Sequence, residues 1–73
     1  MRTYAWDFVG PRSEAIARHH LAHVRDFLGR EKLVGCELGI TVESPTRSIA
    51  WCRAPEDVAP TIERSLRPPR VIP

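Results

Sequence analysis

The sequence predicts a single small α+β domain of the split βαβ, ferredoxin-like kind, with both helices on one face of an antiparallel sheet. Three observations carry this. Residues 3–9, "TYAWDFV", alternate large apolar and small or polar side chains with a period of two. Residues 13–31 instead place apolar side chains at 16, 17, 20, 21, 24, 27 and 28, an arc of about 140° at 100° per residue. Two further alternating stretches separated by "ESPTR" then read as a hairpin, followed by a second, shorter helical pattern.

The first strand ends at Gly10 and Pro11, and the proline preorganises a first helical turn that Ser13 is placed to cap. The long helix closes at Leu33, Val34 and Gly35. In "CELGITV", residues 36–42, Cys36, Leu38, Ile40 and Val42 share a side opposite Glu37, Gly39 and Thr41. In "SIAWCR", residues 48–53, Ile49 and Trp51 share a side, and hydrophobicity assigns them to the core with Tyr4, Trp6, Phe8, Leu38 and Ile40. That choice leaves Thr3, Ala5, Asp7, Glu37, Thr41, Ser48, Ala50 and Cys52 on the open face, which then has no aromatic platform for stacking RNA bases. Pro55, Glu56 and Asp57 form a turn, and Pro60 starts a regular helix to about Arg67, with Val58, Ile62 and Leu66 inward. Residues 1–67 thus form one domain, and residues 68–73, "PPRVIP", an extended tail with a possible last strand at Val71 and Ile72.

Size and composition narrow the function. A chain of 73 residues buries roughly 60% of its unfolded surface, so core and deep pocket compete for the same few apolar residues. No stretch has the roughly 18 apolar residues of a membrane span, and the expected setting is the cytoplasm. Cys36 and Cys52 are too few for a secreted disulfide framework and read as structural thiols. Ten arginines and one lysine face nine carboxylates, a formal charge of +2, less than a dedicated duplex-DNA binder shows. No glycine-rich phosphate loop and no reactive-cysteine signature is present, so the chain reads as a non-enzyme without cofactor.

All three histidines fall in "ARHHLAHVRD", residues 17–26. His20 lies inside the apolar arc, as a core-edge histidine expected to hydrogen-bond backbone or a neighbour. His19 and His23 lie on the solvent side with Asp26 and Arg30, at the i, i+4 spacing that lets two imidazoles share a zinc. A third and fourth ligand are missing and Asp26 suits an ion pair with Arg30, so the stripe reads as a solvated helix face and no metal is assigned.

The chain ends carry the better candidates. Arg64, Arg67 and Arg70 recur at three-residue steps in "ERSLRPPRVIP", where prolines stiffen the backbone and Val71 and Ile72 add apolar area. With Arg2 and Tyr4 of the first strand, which the tail can run alongside, they form the expected partner-binding surface of a monomer. The rival reading is an RNA-binding module in which Arg64, Arg67 and Arg70, with Arg18 and Arg25, contact phosphates.

With "TYAWDFVG" at its start and "RSLRPPRVIP" at its end, this short, arginine-rich, mildly basic chain resembles the small RNA-polymerase-binding transcription regulators of lytic Xanthomonas phages in length and overall character. The resemblance implies docking on the amino-terminal region of the polymerase β′ subunit near the RNA exit channel. It further implies displacement of the initiation factor σ, inhibition of initiation and readthrough of terminators.

Overall fold

The protein is seen in a computed structural model that describes residues 1–72. Its order is β1 (Arg2–Val9), α1 (Ser13–Arg30), β2 (Glu37–Ser44), β3 (Arg47–Ala54), α2 (Ala59–Leu66) and β4 (Arg70–Ile72). The four strands form one antiparallel sheet in the order β2-β3-β1-β4, the arrangement expected of a ferredoxin-like domain. The residues after Arg67 therefore belong in part to the domain, since Arg70–Ile72 pairs with β1. Pro73, the last residue of the expected tail, lies outside the described residues.

Both helices cover the same face. Tyr4, Trp6 and Phe8 alternate along β1. The Tyr4 hydroxyl reaches Ala59 and Glu63 of α2, while the Trp6 and Phe8 rings lie against His20 of α1, with centroids 4.6 and 5.6 Å away. Under α1, Ala17, Leu21, Val24 and Leu28 are buried, and Ile62 of α2 is fully buried. Ile16, expected inside the apolar arc, is 49% exposed and lies outside the buried stripe of Ala17, Leu21, Val24 and Leu28.

The face assignment of β3 is corrected by the register. Tyr4 stands opposite Cys52, Trp6 opposite Ala50 and Phe8 opposite Ser48, and directly opposed residues share a face. Ser48, Ala50, Cys52 and Ala54 are therefore the inward side of β3, all at 0% exposure, and Ile49 and Trp51 point to the open face. The physical reason is size. β3 is a central strand lying directly under α1, and with three aromatics arriving from β1 on the same face only small side chains fit beneath the helix.

Local chemistry explains the boundaries. Gly10, at φ +124, takes a conformation costly for other residues and donates its N–H to the Thr46 carbonyl at 2.7 Å, tying the end of β1 to the hairpin. That hairpin is tighter than "ESPTR" suggested, turning at Pro45 and Thr46 alone. Ser13 does not cap α1; it is buried and its Oγ lies 3.1 Å from that of Ser48. Pro60 sits in the first turn of α2, where its missing N–H costs nothing, and Arg67 ends that helix in the left-handed conformation at φ 45.

Candidate partner-binding surface

The five residues picked from the chain ends fall into two groups. Arg2 and Tyr4 are engaged within the fold. Tyr4 is fully buried, and its hydroxyl donates to Glu63 Oε2 at 2.5 Å. Burial, with the Glu63 carboxylate second, pushes this phenol up to about 12. The same Glu63 oxygen accepts from Arg2 at 2.7 Å, and Arg2 also lies 3.2 Å from Glu56. Hydrogen bonds first from Tyr4 and then from Arg2 hold the Glu63 carboxyl below its ordinary range, and the Arg2 guanidinium is raised in return. This network pins the start of β1 to α2. Tyr4 accordingly has no surface to offer a partner, and β1 is an inner strand with β4 along its outer side.

Arg64, Arg67 and Arg70 are exposed. Arg64 lies in the last turn of α2, where a cation is favoured by the helix dipole, and Arg67 immediately follows that helix. Among the described residues neither has a carboxylate within ion-pair distance. Arg70 leans across the open face to Asp7 Oδ1 at 3.0 Å, a carboxylate it shares with Arg47 at 3.3 Å. Next to them Val71 is 51% exposed on an edge strand. Two unpaired guanidiniums, exposed apolar area and a free strand edge thus lie within nine residues of chain.

The open sheet face adds what the sequence reading missed. Trp51 lies half-buried on it, and its six-membered ring fills the place of a side chain at Gly39: a Cβ there would stand 2.1 Å from Trp51 Cζ2 and 2.5 Å from Cε2. Ile49 lies two residues away on the same face, with Arg47 and Arg53 at either end of β3. Arg47 is held by Glu43 at 2.7 Å as well as by Asp7, and Arg53 stands opposite Glu37 in the register. Positive and negative charges balance on this face. The one signal that could have found it is the glycine in mid-strand opposite a tryptophan.

In the histidine stripe, His20 has a buried Nε2 with no hydrogen-bond partner, contrary to expectation, because the rings of Trp6 and Phe8 surround it. Desolvation, then the neighbouring His23, lowers its pKa. His19 and His23 are exposed, and their Nε2 atoms are hydrogen-bonded at 3.0 Å. Asp26 makes no ion pair with Arg30 among the described residues; the helix pair is Glu14 with Arg18 at 2.8 Å. Cys36 is partly exposed and Cys52 buried, both free and both raised by burial, Cys52 to about 12.

The molecule has a shallow cleft lined by Pro11, Arg12, Arg18, Val42 and Ser48 between the start of α1 and the end of β2. No helix of the described residues is long and apolar enough to cross a membrane. Compared with models of protein families, with curated proteins and with solved structures, the chain matches none.

Proposed function

We propose that this protein is a small non-catalytic regulator that docks on bacterial RNA polymerase, at the amino-terminal region of β′, inhibits initiation and promotes antitermination in the host cytoplasm. The resemblance in length and character supports the partner. The observation that carries a docking role is the pair of exposed arginines, Arg64 and Arg67, unpaired among the described residues and leading into the exposed edge strand β4. Arginine is enriched in the energetic centres of protein interfaces, and a free edge offers main-chain hydrogen bonds as well.

The test is gel filtration of the purified protein with core polymerase and holoenzyme at moderate salt, joined to transcription from a template with a promoter and an intrinsic terminator. The expected result is a stoichiometric complex, reduced initiation and increased readthrough. Arg64→Ala with Arg67→Ala should weaken the complex by about 1–3 kcal/mol if either charge is desolvated in it. Absence of a complex with wild-type protein overturns the reading.

The RNA reading gains Trp51, a half-buried indole on the open face, since an aromatic side chain that stacks bases contributes about 1–3 kcal/mol each. It loses on charge, because on the open face the carboxylates of Asp7, Glu37 and Glu43 offset Arg47, Arg53 and Arg70. RNA affinity that falls steeply with salt and requires Trp51 would restore it.

A further inference from the structure

We infer that His19 and His23 form a two-point binding site for a late first-row divalent transition ion, Cu2+, Ni2+ or Zn2+, on the exposed face of α1. One helical turn brings both imidazoles to the same side. Their Nε2 atoms lie 3.0 Å apart, with ring centroids at 4.6 Å and planes at 85°. Metal–imidazole bonds of about 2.0–2.1 Å meeting at 90–110° require donor atoms roughly 2.9–3.4 Å apart, so the pair already has the bite of a chelate.

In the metal-free protein one ring's N–H occupies the other's lone pair. An ion replaces that shared proton and takes both lone pairs, with one proton moving to the other ring nitrogen or to water. The helix need not rearrange, because its eighteen residues are anchored by Ala17, Leu21, Val24 and Leu28 on the opposite side. Ligand chemistry sets the ion class. Paired imidazoles suit copper, nickel and zinc, whereas Ca2+ and Mg2+ demand oxygen donors.

The site is open. Among the described residues no three His, Cys, Asp or Glu side chains converge, so the remaining positions are left to water or to a donor from another molecule. His20 is not a ligand, being held among Trp6 and Phe8. The charged groups nearby are Asp26 and Arg30, which line the groove beside His23 with Ser65 and Leu66 of α2, and Arg12, which lies near His19.

Calorimetric titration of the full chain with CuCl2, NiCl2 and ZnCl2 at pH 7.5, in a non-coordinating buffer, tests this. The expected result is one ion per chain, tightest for Cu2+, with MgCl2 giving no heat. His19→Ala and His23→Ala should each weaken Cu2+ binding at least tenfold while leaving the circular dichroism unchanged. The spectrum of the copper complex should show two equivalent nitrogen couplings in the wild type and one in either variant. Affinity unchanged in the double variant, or no tighter in the wild type than in the single variants, overturns the site.

Discussion

Replacing Ala50 with leucine tests the face assignment on which the whole arrangement rests. Ala50 is fully buried, with Trp6 opposite on β1 and Ile40 opposite on β2, and α1 lies above. Three extra carbons have no room there, and overpacking of a filled core costs about 1–3 kcal/mol. A chain of this length has about 4–11 kcal/mol of stability at 0.05–0.15 kcal/mol per residue, so the loss is a substantial share. At roughly 4–8 °C per kcal/mol the midpoint should fall by at least about 4 °C, read by circular dichroism at 222 nm together with a urea titration. If hydrophobicity alone set the parity, Ala50 would face water and leucine would change stability by about 0.5 kcal/mol or less. A midpoint within 2–3 °C of the wild type would therefore refute the inward side Ser48, Ala50, Cys52 and Ala54.

Gly39→Val should force Trp51 off β2, shifting its emission to the red, because no Cβ fits beside the indole; an unshifted spectrum contradicts the close approach. Ile62→Ala, at a fully buried position, should cost about 2–5 kcal/mol by urea denaturation. His20 has a lowered pKa in the fold, so the unfolded chain takes up its proton first as pH falls through about 6.5; its contribution is present above that value and is lost toward the lower native pKa, and His20→Leu should flatten that part of the stability curve. Both thiols are raised by burial, so at pH 8 native protein should react with a thiol-specific disulfide reagent far more slowly than protein in urea, Cys52 slowest of all.

The period-two runs, the helical arc and the placement of Gly10, Pro11 and Pro60 determine the element order, because those signals are local and each residue's neighbours in sequence are enough to express them, and the topology follows from that order through the split βαβ arrangement. Tertiary structure decided the rest. Which face of β3 is inward depends on the space left by Tyr4, Trp6 and Phe8 from another strand, and a hydrophobicity pattern carries no measure of that space. Tyr4 reads as a contact residue until Glu63, fifty-nine residues away, is found accepting its hydroxyl, and Arg2 reads as a free cation until the same carboxylate claims it. Arg64 and Arg67 stayed exposed as the sequence suggests, and among the described residues no carboxylate comes within ion-pair distance of either. The histidine pair lay in between: its spacing is written in the sequence, but the 3.0 Å separation comes from side-chain rotamers that only the folded helix fixes.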